Sequence, residues 1–172
     1  NEMKRKFNQD FIRADHPEFK KLGADAWVHF PKIIASIDTA KRKEHRDAIF
    51  ALEYDLIIID EAHHLKNRTT QKWQFVNGIN KKYIFLLTAT PVQNHLEELY
   101  NLITLLKPGQ LRTYSYFKKN FVDSKDGIEV KNVDRLKRLL ADVMIRNKRS
   151  NVDVKFTKRK AFTITGELSQ QE

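Results

Sequence analysis

Two runs of consecutive hydrophobic residues give the clearest structural signal in this sequence. They are Leu56–Ile59 and Tyr83–Leu87, and their unbroken hydrophobic character predicts parallel strands that are covered on both faces. The residues between them, 69–77, have the pattern of a helix that packs Trp73 and Val76 inward. Strand, helix and strand at this spacing predict a right-handed βαβ unit.

The sequence before these strands predicts smaller elements. Its first residues, as far as Leu22, are charged with spaced phenylalanines, and we expect their start to be the end of a helix. The short hydrophobic run Lys32–Ile37 predicts a strand. Residues 38–53 predict a basic amphipathic helix, and Asp38 is its candidate N-cap.

A longer helix is predicted after the second strand. Asn94 is its candidate N-cap, and Glu97 stands three residues further on, as in a capping box. Pro108 and Gly109 end it. The hydrophobic residues on one face of this helix are Leu96, Leu99, Ile103 and Leu106.

The composition changes beyond residue 108. An aromatic helical segment comes first, then a polar loop at 123–127, then a helix that opens at Asn132. The aromatic residues, which helical spacing assigns to a core, are Tyr114, Tyr116, Phe117 and Phe121. In the last helix the inward side chains are Leu136, Leu139, Leu140 and Val143, and the outward ones are Arg135, Lys137 and Arg138. An alternating run at 160–165 predicts one more strand.

These elements predict an α/β fold, with parallel strands flanked by helices and a small helical subdomain attached to them. The length of 172 residues suits one ordinary domain with an appendage. We expect an α/β part at residues 1–108, a helical part at 109–152 and a linker strand at 153–172.

The charge balance points to a polyanionic partner. Lys and Arg outnumber Asp and Glu by 32 to 22, a net charge of +10 at pH 7, and basic side chains gain affinity for phosphate backbones by releasing counterions. A basic surface that only aids solubility is the alternative. The sequence has no cysteine, which excludes disulfides and thiolate metal sites. It has no apolar signal segment and no run of the ~20 apolar residues that span a membrane.

The strand Leu56–Ile59 ends abruptly in two carboxylates, Asp60 and Glu61. Adjacent carboxylates repel each other and cost desolvation, which a divalent cation and a polyphosphate would offset. Ligands of open α/β sheets bind at the carboxyl ends of strands. The layout therefore indicates a nucleotide hydrolase in which one acid holds Mg²⁺ and the other handles the attacking water. The alternative is a pair of loop carboxylates neutralised by Lys66 and Arg68.

A second polar cluster, Thr88-Ala89-Thr90, follows the neighbouring strand. Because the carboxyl ends of parallel strands meet at one edge of a sheet, we expect it to lie beside Asp60 and Glu61. Hydroxyl groups there can hydrogen-bond the acidic loop. A turn that uses threonine as a local cap before Pro91 is the alternative.

The residues at both strand ends resemble the motifs of one protein family. Asp60–Asn67, which reads Asp-Glu-Ala-His-His-Leu-Lys-Asn, is similar to motif II of the Swi/Snf family of DNA-dependent ATPases in helicase superfamily two. Leu87–Asn94 is similar to its motif III. The first four residues alone would match many proteins, and the Leu-Lys-Asn and Pro-Val-Gln-Asn extensions make the pair specific. Further similar segments are Ile34–Asp38 (motif Ib), Leu99–Leu102, Phe117, Phe121 and Met144–Val152.

The resemblance implies the later part of the first RecA-like motor lobe together with its helical protrusion. None of the five glycines is followed by Lys and then Ser or Thr, so the sequence contains no phosphate-binding P-loop. It also begins at Asn1 rather than Met. We therefore expect a piece of a longer protein, inactive as an ATPase by itself, with an open sheet edge that could pair with another copy. Asn147 departs from the family pattern, which often has Arg there.

The resemblance also implies roles for single residues, with ATP and Mg²⁺ as cofactors. Asp60 would hold Mg²⁺ through water, Glu61 would activate the water that attacks the γ-phosphate, and His63 would couple the ATP site to neighbouring motifs. Thr88 and Thr90 would lie at the nucleotide and link hydrolysis to DNA contact. The candidate DNA contacts are Ser36, Lys66, Asn67, Gln93 and Arg146.

The expected function is ATP-driven movement on duplex DNA, or remodelling of a protein–DNA complex, as implied by the resemblance. We expect no sequence preference, since such movement needs backbone contacts more than base reading. We expect a protein that is not secreted and works in the cytoplasm or nucleoid of a bacterium, or in a eukaryotic nucleus. Two alternatives stay open: a non-catalytic docking module for nucleic acid or protein, and another superfamily-two helicase, such as one acting on RNA. The spacing of His63 and His64 disfavours a transition-metal site with Asp60.

Overall fold

The computed structural model describes residues 2–89, 95–123 and 129–145. Its strands are β1 Ile12–Arg13, β2 Ile33–Ile34, β3 Glu53–Ile59 and β4 Asn80–Leu86. Its α-helices are α1 Glu2–Phe7, α2 Pro17–Leu22, α3 Ala26–His29, α4 Ile37–Ala40, α5 Lys43–Phe50, α6 Gln71–Gly78, α7 Leu96–Leu106, α8 Tyr114–Phe121 and α9 Val133–Ala141. Two short 3₁₀ segments lie at Gly23–Asp25 and Ala62–Leu65.

The predicted strand–helix–strand unit is present. Strands β3 and β4 pair in parallel, with Leu56 opposite Tyr83 and Ile59 opposite Leu86. Helix α6 connects them, and Thr70 caps its start because the Thr70 hydroxyl accepts the amide N–H of Trp73 at 3.3 Å. A second parallel pair joins β1 to β2. The sequence predicted β2 but not β1, a strand of two residues.

The prediction that both faces of the central strands are covered is wrong for the described residues. Side chains alternate along a strand, and helices α5, α6 and α7 cover the face that carries Ile59. The opposite face is bare, and its hydrophobic side chains are between 44% and 68% exposed. These side chains are Leu56, Ile58, Tyr83 and Phe85.

Residues 38–53 form two helices rather than the single helix that was predicted. Ser36 is the N-cap of α4, since its hydroxyl accepts the amide N–H of Thr39 at 3.0 Å. The chain is extended at Arg42, and α5 starts after it. Asp38 is therefore not the N-cap but an acid in the first helical turn, where its negative charge interacts favourably with the helix dipole. Its Oδ2 atom lies 2.9 Å from the Lys72 ammonium.

Two hydrophobic cores lie side by side, and α7 contributes to both. The core of the α/β part contains buried side chains from α2 to α6, and α7 adds Leu102 and Leu105 to it. The second core belongs to the helical part, and its residues are Leu96, Leu99, Tyr100, Ile103, Leu111, Phe117, Phe121, Leu136 and Leu140. Opposite faces of one helix thus join the two parts of the molecule.

The helical part follows its sequence prediction. Phe117 and Phe121 of α8 are fully buried, and Asn132 is the residue at the N-cap of α9. The N-cap of α7 is His95, and the predicted cap Asn94 lies outside the described residues. The alternating run at 160–165 and most of the loop at 123–127 lie outside them too. No helix in the described part of the chain is long and apolar enough to cross a membrane.

Candidate functional site

The carboxyl ends of β3 and β4 are joined by backbone hydrogen bonds just where the polar residues begin. The amide of Leu87 donates to the carbonyl of Ile59 at 2.9 Å, and the amide of Ala62 donates to the carbonyl of Leu87 at 2.9 Å. These bonds place Thr88 beside the acidic turn that contains Asp60 and Glu61, as the sequence predicted. Thr90 lies outside the described residues.

Asp60 is exposed at the tip of β3. Its Oδ1 atom accepts the amide N–H of Glu61 at 2.9 Å, which fixes the orientation of the carboxylate. Mg²⁺ takes oxygen ligands and usually keeps several waters beside one or two carboxylates and substrate phosphates. In the described part of the chain no group of three or more His, Asp or Glu side chains could hold a metal. A single oriented carboxylate suits Mg²⁺ that is completed by water and phosphate oxygens.

Glu61 has a left-handed backbone conformation, with φ of 50° and ψ of 46°. This conformation costs a residue with a Cβ atom free energy, so the surrounding structure must hold it. The side chain is 61% exposed, and its Oε2 atom lies 3.1 Å from Nδ1 of His63. The buried Nδ1 atom nevertheless makes no hydrogen bond there. Glu61 therefore points outward from a constrained turn, with His63 as its neighbour.

The basic residues proposed to neutralise the two acids have other partners. Among the described residues, the Lys66 ammonium pairs with Glu98 Oε1 at 3.0 Å. The Arg68 guanidinium lies 5.4 Å from the centre of the Tyr114 ring. The alternative in which Lys66 and Arg68 neutralise Asp60 and Glu61 is therefore wrong for this part of the chain.

Three of the candidate DNA contacts, Ser36, Lys66 and Asn67, lie in the described part of the chain, on segments that follow β2 and β3. Ser36 follows β2 and is exposed, but its hydroxyl already caps α4. The Oδ1 atom of Asn67 accepts two hydrogen bonds from Thr69, one from its backbone N–H at 2.9 Å and one from its hydroxyl at 2.8 Å. The side-chain NH₂ group of Asn67 can then act as a donor to another group. Gln93 and Arg146 lie outside the described residues.

Sequence reasoning missed the residues that hold the loop after the acids. Asn101 of α7 is 2% exposed, and its Nδ2 atom donates to the carbonyl of Lys66 at 2.9 Å. The indole N–H of Trp73 donates to the carbonyl of Asn101 at 3.1 Å. A signal was available, because Asn101 is the one polar residue in the hydrophobic run Leu99–Ile103.

Two sets of ion pairs away from Asp60 and Glu61 shift the pKa values of their members. Hydrogen bonding to Lys72, and then to Lys41, lowers the pKa of Asp38 below its ordinary value. The hydrogen bond from Lys82 likewise lowers the pKa of Asp55, and the same contact raises the pKa of Lys82. The pair of Asp38 with Lys72 ties α4 to α6, and the pair of Asp55 with Lys82 ties β3 to β4.

Solved structures share this arrangement. The SWI2/SNF2 ATPase core of Sulfolobus solfataricus, in complex with dsDNA, matches with a TM-score of 0.65 and 25% identity over 85% of this chain and 30% of that chain. The core domain from the same organism matches with a TM-score of 0.60 at 23% identity, over 88% of this chain and 31% of that one. The fold is that of part of a RecA-like lobe, with the two acids at the end of one of its parallel strands.

The family follows from sequence comparison. The SNF2-related domain matches residues 18–172, and the chain belongs to this family, which confirms the resemblance of the two motifs. The uncharacterized ATP-dependent helicase YqhH of Bacillus subtilis is 41% identical over 156 residues, which are 91% of this chain and 28% of the relative. Human chromodomain-helicase-DNA-binding protein 8 is 34% identical over 118 residues, 69% of this chain and 4% of the relative. The chain thus spans a minor part of these relatives.

Proposed function

We propose that this chain is part of an ATP-driven motor of the SNF2 type that moves along duplex DNA. The observation that carries the proposal is the pair Asp60 and Glu61 at the end of β3, whose flanking residues Ile59 and Ala62 are both hydrogen-bonded to Leu87 at the end of β4. Two adjacent carboxylates on an exposed strand end suit a metal–nucleotide ligand more than a structural role, because ligands of open α/β sheets bind at the carboxyl ends of strands. Family membership and the relatives described as ATP-dependent helicases support the same activity.

Each residue of the acidic turn has a role in this proposal. Mg²⁺ would supply positive charge to the phosphates of ATP, and Asp60 would hold it through water. Glu61 would orient or deprotonate the water that attacks the γ-phosphate. His63 would carry the state of Glu61 to neighbouring loops, and the 3.1 Å approach of its Nδ1 atom to Glu61 supports this role.

The neighbouring residues would link hydrolysis to DNA. Thr88 and Thr90 would contact the nucleotide site, and the position of Thr88 directly after Leu87 supports this. Contacts to the phosphate backbone would come from Ser36, Lys66, Asn67, Gln93 and Arg146. The net charge of +10 and the similarity to a Sulfolobus ATPase core that is in complex with dsDNA favour duplex DNA as the partner.

The printed sequence has no P-loop, so we expect the 172-residue chain alone to hydrolyse no ATP. A protein with this function would work where DNA is, in the cytoplasm or nucleoid of a bacterium or in a eukaryotic nucleus. ATP hydrolysis by the full-length protein that contains this chain is the property to measure.

The experiment compares ATP hydrolysis by that full-length protein with and without duplex DNA. We expect DNA to stimulate hydrolysis, and Glu61→Gln to lower kcat by about 10²-fold or more, since general-base catalysis contributes roughly 10²- to 10⁴-fold. Glu53→Gln, at the amino end of the same strand, is the matched control and should keep the wild-type rate.

Three results would redirect the proposal. Duplex DNA binding without any hydrolysis would favour a docking module. Stimulation by RNA but not by duplex DNA would favour an RNA helicase. Wild-type hydrolysis by the Glu61→Gln variant would remove Glu61 from the catalytic role.

A further inference from the structure

Helix α7 presents two different faces to the two parts of the molecule. One face buries Leu99 and Ile103 in the helical core. The other face places Leu102 in the core of the α/β part, and Asn101 beside it contacts the loop that follows the acids. The helix is therefore the element through which a movement of the helical part would reach the acidic turn.

Two residues of α7 hold the same loop residue, Lys66, by different groups. Glu98 Oε1 lies 3.0 Å from the Lys66 ammonium, and the Glu98 side chain is only 12% exposed. Asn101 Nδ2 donates to the Lys66 carbonyl at 2.9 Å. Partial burial reduces the screening of the ion pair by solvent and salt. Because one contact fixes the backbone and the other the side chain, Lys66 has little freedom to shift while α7 stays in place.

The loop between Glu61 and Lys66 is short and well packed. The 3₁₀ segment Ala62–Leu65 fills it, and both Ala62 and Leu65 are fully buried. The amide of His64 donates to the carbonyl of Glu61 at 3.1 Å. A displacement of Lys66 would therefore pass along a rigid segment to the constrained backbone of Glu61.

The buried side chain of Asn101 lowers the stability of the folded chain unless its contact with the loop offsets the cost. Its Oδ1 atom is buried without a hydrogen-bond partner among the described residues, and such a group costs about 1–3 kcal/mol. A hydrophobic residue would fill the position without this cost. In the described part of the chain, the hydrogen bond that the Asn101 side chain makes is the one to the Lys66 carbonyl, so the side chain acts on this loop.

We propose that Glu98 and Asn101 are positioning residues that hold the turn of Glu61 in the geometry for hydrolysis and couple it to the helical part. This inference rests on the proposed ATPase function. Neither residue is among the proposed nucleotide contacts, so their loss should change the rate of the chemical step and leave nucleotide affinity alone.

The test uses the full-length protein with saturating duplex DNA. Glu98→Gln and Asn101→Leu should each lower kcat for ATP by about 2- to 30-fold, the range of coupling energies measured for residues remote from a ligand. The KM for ATP should stay within about twofold of wild type for both variants, as for an interaction that acts on the transition state. The Kd for duplex DNA should stay within the same range for Asn101→Leu, which keeps the ion pair of Lys66 with Glu98. Glu97→Gln removes the preceding charge of α7, which faces Tyr114, and should keep the wild-type kcat.

A charge exchange separates positioning from general damage to the fold. The double variant Lys66→Glu with Glu98→Lys should recover part of the kcat that either single variant loses, because it restores the pair in reverse. Lys66 is also a proposed DNA contact, so all three variants are compared at duplex DNA concentrations that saturate each of them. No recovery of kcat at saturating duplex DNA, or a change in the KM for ATP with kcat intact in the α7 variants, would overturn the inference. If the wild-type protein shows no DNA-stimulated hydrolysis, the proposed function itself fails. If the wild type is active, Glu61→Gln is inactive and both α7 variants behave as wild type, only the positioning role fails.

Discussion

The left-handed backbone of Glu61 leads to a prediction about stability at the candidate catalytic residue. We expect Glu61→Gly to make the chain more stable than Glu61→Ala, although glycine usually destabilises a protein. Both changes remove the carboxylate and its approach to His63. The difference between the two variants therefore isolates the backbone conformation, with φ of 50°.

The size of the effect follows from two opposing terms. A left-handed conformation costs a residue with a Cβ atom about 1–2 kcal/mol, and glycine escapes this cost. Glycine in turn loses about 0.5–1 kcal/mol more conformational free energy on folding than alanine does. With the middle of each range, the balance favours Glu61→Gly over Glu61→Ala by about 0.75 kcal/mol.

Urea unfolding of the 172-residue chain, followed by circular dichroism, measures this difference. With a denaturant slope of about 1–3 kcal/mol/M, the midpoint of Glu61→Gly should lie roughly 0.2–1 M above that of Glu61→Ala. Asp47 provides the control, because it is exposed in the right-handed helix α5. There the order should reverse, with Asp47→Gly about 1 kcal/mol less stable than Asp47→Ala.

Equal midpoints for the two Glu61 variants, or a lower midpoint for Glu61→Gly, would refute the reasoning, since the turn would then relax without cost. The expected order would show that the residue proposed to activate water is held in a strained conformation. Strain at such positions persists only when the surroundings determine the conformation. Both variants should also abolish ATP hydrolysis when placed in the full-length protein.

Two further predictions concern the cores and the pH dependence of stability. Phe117→Ala should lower the free energy of unfolding by about 3–5 kcal/mol, because Phe117 is fully buried and its ring centre lies 5.4 Å from that of Phe121. A loss of less than about 1 kcal/mol in urea unfolding would contradict the helical core. Lys72 and Lys41 lower the pKa of Asp38 in the folded state, so this contribution to stability is present above the ordinary value of 3.8 and is lost as the pH falls below it. Urea midpoints at neutral pH and near pH 3 should therefore differ less for Asp38→Asn than for wild type, and an equal difference would contradict the pairing.

The elements with strong local patterns could be predicted from the sequence. Strands β3 and β4 follow from their hydrophobic runs, and α7 follows from the spacing of its leucines. The adjacency of Thr88 to Asp60 also follows, because parallel pairing alone decides which strand ends meet. In each case the determining residues are close in sequence or are related by a simple rule of the sheet.

Features that depend on tertiary contacts could not be predicted. The hydrophobic character of Ile58 and Phe85 predicted coverage, but their exposure depends on which helices pack there, and the described helices leave them bare. The ion pair between Lys66 and Glu98 joins residues far apart in sequence, so no local pattern indicates it. The cap at Ser36 was missed for another reason, since both Ser36 and Asp38 are good N-cap residues and the backbone geometry decides between them.

The acidic turn needs support beyond the two strands that carry it. The strain at Glu61 costs about 1–2 kcal/mol, and the hydrogen bond from Ala62 to Leu87 returns about 0.5–1.5 kcal/mol. That bond alone roughly balances the strain and leaves little preference for the turn. Full burial of Leu65, worth about 1.5–3 kcal/mol, and the bond from Asn101 to Lys66 tip the balance. Because Asn101 lies on the helix shared by both cores, the geometry of the acids depends on the helical part as well as on the sheet.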